Sequence, residues 1–387
     1  MRILFLTNLY PPHFIGGYEQ LCKDVADGLA AKGHDCHVLT STYGIGRQST
    51  EGNVYRLLAL EGDFAGNRPS LAASNRIRLD NERTLLKVIG EVDPDLIFIW
   101  SMRRFSRSLL FLLEGLGRRV VYYVTDNWLL DHYRPTRQNL KKYLLSLGCL
   151  FKRPSLDNVI CSSNHMKQEL IERGIPLQKA HVVYNGVDLA PYLDIQRERK
   201  HDVTRILYAG RLVSEKGPHT LLQAFIDLPV EQRRDLQLTI VGGGEEAYIR
   251  GLQGMARQAG VEKAVYFTGN VSREELPGYF ASHDIFVFPS IWQEPFSLTL
   301  IMALASEIPV IGTLNGGSKE ILRDRENSLA FTAGDSTNLV EKLQTLLDDQ
   351  ALGRALARQG RADSLSCTLP AMVGKVEKIL EEVARGR

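Results

Sequence analysis

The stretch DIFVFPSIWQEPFSLTLIMALASEIPVIG, Asp284 to Gly312, decides the fold. Asp284–Pro289 is a short continuous apolar run, as expected of a strand buried on both faces. Ser290–Glu294 is a loop, and Pro295 predicts a helix start, because proline suits the first helical position. The helix runs to about Ser306, and Pro309–Gly312 is the next buried strand. Strand, helix and strand in this order make a βαβ unit with a parallel sheet.

The same unit suggests a binding site. A helix from Pro295 leaves the backbone N–H groups of Phe296, Ser297 and Leu298 without partners in its first turn. With the helix dipole they form an anion site. Glu294, just ahead of that turn, can accept hydrogen bonds from sugar hydroxyls, or it can simply cap a core helix. Met302, eight residues on, would project from the same face about two turns later, where a methionine normally packs.

Outward from this unit the alternation continues in both directions. Apolar runs recur at Ile3–Thr7, Asp35–Thr40, Leu96–Trp100, Val120–Val124, Asn158–Cys161 and His181–Tyr184. Periodic stretches such as Glu19–Lys32, Asn81–Val92 and Asn164–Arg173 lie between them. After the charged piece DIQRERKHDVT, Asp194–Thr204, the pattern restarts with Arg205–Ala209, Leu236–Val241, Val265–Thr268, Asp284–Pro289, Pro309–Gly312 and Leu329–Phe331. The expectation is an α/β chain of two tandem doubly wound domains facing across a cleft, with ligands at the carboxyl ends of the strands. The expected divisions are 1–189, a linker 190–204, 205–370, and a last helical stretch 371–387. That last stretch either closes the second domain or crosses back to the first.

Bulk properties narrow the class. A chain of 387 residues suits two domains. A net charge of +2 makes no global case for nucleic acid. The five cysteines form no CxxC or zinc-like cluster, which suits a reduced, cytoplasmic protein. MRILFLTNLYPPHF reads as a first strand rather than a signal peptide. No apolar stretch reaches the roughly 18 residues of a membrane span. Work at a membrane would be done from its surface.

Further motifs carry chemistry, each beside a plainer reading. In YPPHFIGGYEQ, Gly16 and Gly17 precede a helix, where backbone N–H groups can approach an anion, or where the chain simply turns. In LYAGRLVSEKGPHTLL, Arg211 and Lys216 stand at the carboxyl end of a strand. A guanidinium fork and an ammonium there suit a diphosphate. LTIVGGGEEAYI matches G-x-G-x-x-A through Gly242, Gly244 and Ala247. Taken alone it suggests NAD and a dehydrogenase. Glu245 and Glu246 beside a pyrophosphate make a tight turn or a glycine loop near a sugar the better reading. In YYVTDNWLLD, Asp126 ends a strand, either facing an acceptor hydroxyl or capping a helix. The segment 134–153 sets Arg134, Arg137, Lys141, Lys142, Lys152 and Arg153 around leucines. It reads as a solvated basic face or as a peripheral membrane element, with Arg103, Arg104 and Arg107 adding charge in the same domain.

As an ordered set these residues resemble the retaining glycosyltransferases of the GT4 type, with the two-domain GT-B fold. The resemblance covers nearly the whole chain. It rests most on VVYNGVDLAPY, ILYAGRLVSEKG, TIVGGGEE, VYFTGNVSREELPGYFASHDIFVFPS and EPFSLTLIMALASEIPVIGTLNGGSKEIL. It implies a nucleotide-diphosphate sugar bound mainly by the second domain, and a glycan, lipid-linked or small-molecule acceptor bound by the first. By resemblance, Arg211 and Lys216 neutralise the diphosphate. Ser290, Glu294 and the N–H groups that follow hold sugar and phosphate. Gly269, Asn270 and Val271 frame the base, and Gly16 and Gly17 lie near the phosphates. Glu294 and Asp126 are the expected catalytic pair. No metal or other cofactor is expected, since cationic side chains take that electrostatic role.

Three positions depart from the family pattern. The second of two glutamates eight apart, expected on the ribose, is Met302. The usual glycine after EPF is Ser297, and a frequent histidine before Asp126 is Thr125. The rival readings are a nucleotide-sugar-binding protein without turnover, the dehydrogenase, and a sugar-nucleotide epimerase of similar fold.

Overall fold

A computed structural model describes residues 1–64, 66–67, 69–133, 153–195 and 203–386. The basic segment 134–153, apart from Arg153, and much of the charged piece Asp194–Thr204 lie outside the described residues. The chain forms two compact units, Met1–Gly186 with Leu369–Arg387, and Val187–Thr368. The division at Val187 falls ahead of the charged piece, which lies within the second unit's span of sequence.

In the first unit the strands are β1 (Arg2–Leu6), β2 (Asp35–Ser41), β3 (Ser49–Glu51), β4 (Val54–Leu58), β5 (Leu96–Ile99), β6 (Val120–Val124), β7 (Val159–Cys161) and β8 (His181–Val182). They form one sheet in the order β3-β4-β2-β1-β5-β6-β7-β8. All pairs are parallel except the β3–β4 hairpin. The central strands are apolar on both faces because helices cover both sides, so β5 and most of β6 are wholly buried.

The second unit holds β9 (Thr204–Ala209), β10 (Leu236–Val241), β11 (Val265–Gly269), β12 (Ile285–Phe288), β13 (Val310–Thr313) and β14 (Leu329–Phe331). Their order, β11-β10-β9-β12-β13-β14, is all parallel. It is the doubly wound nucleotide-binding order, with its topological switch between β9 and β12. The helix Pro218–Asp227 follows β9 with proline at its start.

Two features differ from the sequence expectation, and one choice it left open is resolved. The hairpin Ser49–Leu58 is an added edge. The helix expected from Asn81 begins at Leu71, where the Ser70 hydroxyl accepts the Ala73 N–H at 3.3 Å. The final helix, Leu369–Arg385, belongs to the first unit. There Val373 fills the space above Gly28, and Glu377 accepts from Lys32 at 2.7 Å and lies 3.0 Å from the His34 ring.

Candidate active site

At the switch point of the second sheet, the loops leaving β9 and β12 lie side by side, where ligands of such sheets bind. They are tied together through their backbones. The N–H groups of Ile291 and Trp292 both donate to the Glu215 carbonyl, at 2.9 and 3.0 Å. Gly217 has φ +68° and sits against the Pro289 carbonyl so closely that no Cβ fits between them.

That lacing brings Lys216 and Glu294 together. The Lys216 ammonium donates to Glu294 Oε1, which also accepts from the Ser290 hydroxyl at 2.9 Å. Glu294 is only 4% exposed. A carboxylate so deeply placed requires a cation and a hydrogen-bond donor, and it has both. The ammonium also stands 5.3 Å from the centre of the Trp292 ring. Arg211 is exposed and pairs with no carboxylate among the described residues. Its carbonyl accepts the Tyr208 hydroxyl at 2.7 Å, which fixes the loop. Burial pushes the Tyr208 phenol well up, and the nearby Glu294 charge adds to this, so Tyr208 remains a neutral donor.

The helix after β12 corrects the reading of Pro295. It spans Leu298–Ala305, with Ser297 as an extended N-cap. Pro295–Ser297 stay outside it because Glu294 pairs in parallel with Gly316, and the Gly317 N–H donates to the Glu294 carbonyl. Gly316 and Gly317 permit this, since a Cβ on either would strike the Glu294–Pro295 backbone. The first-turn donors therefore belong to Leu298, Thr299 and Leu300 rather than Phe296, Ser297 and Leu298. Glu294 and Met302 do not share a helix face. Met302 lies one turn beyond Leu298 and is 8% exposed, more than the other residues from Leu300 to Ala305. The Ser297 hydroxyl is 3.0 Å from that of Thr299, and Phe296 is buried.

The glycine run after β10 extends the sheet beyond its strands. Leu212 N–H donates to the Gly243 carbonyl at 2.7 Å, and Gly242 N–H to that of Gly269 at 2.9 Å. Gly242, at φ +135°, lies directly on the Gly210 carbonyl, and Gly244 on that of Leu212. The G-x-G spacing thus serves close backbone packing. Asn270 lies against Gly243, at the exposed end of β11 beside Val271.

In the first unit, Gly16 caps the helix Gly17–Ala31, and its N–H donates to the Glu19 carboxylate at 3.0 Å. That donor, which the sequence left open for an anion, is occupied by a capping side chain. Asp126, at the end of β6, accepts the Trp128 N–H at 2.7 Å and pairs with Arg103 at 2.9 Å. It therefore acts as a cap and as an ion-pair partner. Its neighbour Thr125 is buried. Among the described residues no helix is long and apolar enough to cross a membrane.

Sequence reasoning missed Trp292, Tyr208 and the Gly316–Gly317 pair. Trp292 and Tyr208 lie close in sequence to Glu294 and Arg211, whereas Gly316 and Gly317 lie far from any predicted site residue, and the role of each depends on a contact with another loop. The apolar pair Ile291–Trp292 in a loop between a strand and Glu294 was the one signal that could have been read.

Two sequence profiles match the chain. "Glycosyltransferase Family 4" covers residues 15–191 and "Glycosyl transferases group 1" covers residues 193–363. An uncharacterized glycosyltransferase of Methanocaldococcus jannaschii is 24% identical, over 94% of this chain and 93% of its own. A glycogen synthase of Mycobacterium tuberculosis is 27% identical, over 93% and 89%. Among solved structures, the sucrose-phosphate synthase of Thermosynechococcus elongatus superposes with a TM-score of 0.77 at 19% identity, covering 100% of this chain and 99% of its own. Anabaena HepE in complex with UDP superposes with a TM-score of 0.74 at 21% identity, covering 99% and 100%. With one profile on each half and relatives matched along nearly their full length, the chain is a glycosyltransferase of the group 1 and family 4 kind, with the GT-B fold.

Proposed function

We propose that the chain transfers a sugar, with retention at the anomeric carbon, from a nucleotide-diphosphate sugar to a hydroxyl of a glycan, lipid-linked or small-molecule acceptor. The observation that carries this reading is the set Lys216, Ser290 and Glu294, joined at the switch point of the second sheet with the exposed Arg211 on the same loop as Lys216. The bond from the anomeric carbon to the diphosphate oxygen breaks as the acceptor oxygen bonds to that carbon. The acceptor's proton passes to the leaving phosphate. Arg211 and Lys216 stabilise the charge that grows on the diphosphate, in the role a metal plays elsewhere. Glu294 fixes the sugar hydroxyls. Gly269–Val271 border the base, and an acceptor hydroxyl bound by the first unit would compete with Arg103 for Asp126. Structures of Anabaena HepE hold UDP and UDP-glucose, so uridine donors are tried first.

The test is transfer of labelled sugar from UDP, GDP, dTDP or ADP donors to an acceptor, with the product anomer read by proton NMR. Retained configuration supports the proposal, and inversion overturns it. Met302 favours one second reading, donor binding without turnover, because a thioether cannot replace a carboxylate on ribose hydroxyls. Donor binding with no transfer to any acceptor would support that reading.

A further inference from the structure

Trp292 is 37% exposed, an unusual state for the largest apolar side chain, yet its backbone is held on both sides. Its N–H donates to the Glu215 carbonyl at 3.0 Å, and its carbonyl accepts the Glu294 N–H at 2.9 Å. The adjoining Ile291 carbonyl accepts from Asn315 at 3.0 Å, which ties this loop to the one after β13. The backbone that carries the indole is therefore held, and the ring stands beside the Lys216 ammonium, two residues from the buried Glu294 carboxylate.

A glycosyl diphosphate presents three kinds of surface here: an apolar face of ring C–H groups, hydroxyls, and phosphate charge. Trp292, Glu294 and Lys216 offer one partner for each. An aromatic face packs against a C–H face, a carboxylate accepts from hydroxyls, and an ammonium meets phosphate.

We propose that Trp292 is a contact residue for the transferred sugar. Its indole takes the ring face and makes the site prefer a hexopyranosyl diphosphate over the bare nucleoside diphosphate. The inference rests on the donor-site reading above, and goes further by assigning the sugar-selective contact. It also makes Trp292 a reporter. Of the three tryptophans, Trp100 and Trp128 are wholly buried in the first unit.

The test is calorimetric titration of the wild type, Trp292→Ala and Trp292→Phe. The ligands are UDP, GDP, dTDP and ADP, and the hexose conjugate of whichever one the wild type binds. Trp292→Ala is expected to weaken the conjugate about tenfold and the bare diphosphate less than about twofold. Trp292→Phe, which keeps an aromatic face, should stay within about threefold for both. The conjugate should change the tryptophan emission of the wild type, and Trp292→Phe should abolish that change while binding persists. Equal weakening of both ligands would mean that the ring acts only through Lys216, and would overturn the proposal. So would no change in either ligand, or an effect confined to acceptor KM. A wild type that binds none of the four diphosphates would instead overturn the donor-site reading itself.

Discussion

Lys216 and Glu294, 78 residues apart in the chain, form an ion pair across the two loops that flank the switch point of the second sheet. The pair is largely buried, so it serves stability as well as the ligand binding proposed for it. Glu294→Ala leaves a mostly buried ammonium without its partner and should cost about 2–3 kcal/mol of the second unit's stability. Glu294→Gln keeps an acceptor for the Ser290 hydroxyl and should cost less. Both should reduce transfer more than tenfold, roughly the loss of one charge-assisted hydrogen bond. Thermal melts beside initial rates check this. A melting loss without a rate loss in the folded variants would remove Glu294 from the site.

Arg211 should separate from Lys216 in the opposite sense. It is exposed and holds no carboxylate among the described residues, so Arg211→Ala should change stability by less than about 0.5 kcal/mol. Diphosphate affinity should nonetheless fall roughly ten- to hundredfold. Calorimetry at two salt concentrations reads this, and the wild type should show the steeper salt dependence.

The glycines after β10 are predicted to act through backbone packing. Gly242→Ala combines a positive φ with a Cβ set against the Gly210 carbonyl, and should cost at least about 2 kcal/mol. Gly251 lies in the helix Glu246–Gln258 with open space around it, so Gly251→Ala should stabilise by about 0.5–1 kcal/mol. Urea denaturation of the two variants reads opposite signs.

Met302→Glu tests the departure from the family pattern. The position is buried but is the most exposed of the Leu300–Ala305 run, so a carboxylate there can reach the surface at some cost in stability. Donor affinity should rise about tenfold if ribose lies beside this face. Unchanged affinity, measured by calorimetry, would mean that the ribose is held elsewhere.

A pH dependence follows from the final helix. Hydrogen bonds from Lys32 and His34 hold the Glu377 carboxyl below its ordinary range. Its contribution is then complete above the unfolded carboxyl value of about 4.3, and is lost as pH falls through the lower folded value. The gap in melting temperature between wild type and Glu377→Gln should narrow as pH falls below about 4.3. A gap that stays constant down to pH 3 would contradict this.

Much of this architecture was legible in the residues. Parallel strands covered on both faces read as short apolar runs, which is why β5, β6, β9 and β12 were visible. The hairpin Ser49–Leu58 was not, because its first strand, Ser-Thr-Glu, is short and has no buried residue. The early turns of Leu71–Val92 hold no buried residue before Asn81 and lack an apolar stripe, so only its second half stood out. Arg211, Lys216 and Glu294 were visible as charged residues beside strand ends. The start of the Leu298–Ala305 helix was misread because Pro295 is a local signal, overruled by the distant Gly316–Gly317 backbone. Trp292 was missed for a related reason: its exposure and its place beside Lys216 exist only after the loops are laced.

The most direct test of the donor site is a thermal-shift screen of the wild type and Arg211→Ala against UDP, GDP, dTDP and ADP, their common sugar conjugates, and NAD. The account predicts stabilisation of the wild type by one base family, about 2.7 kcal/mol at a hundredfold excess over Kd, and much less for Arg211→Ala. A shift with NAD alone, a shift that is equal in both proteins, or no shift with any of the nucleotides would contradict it.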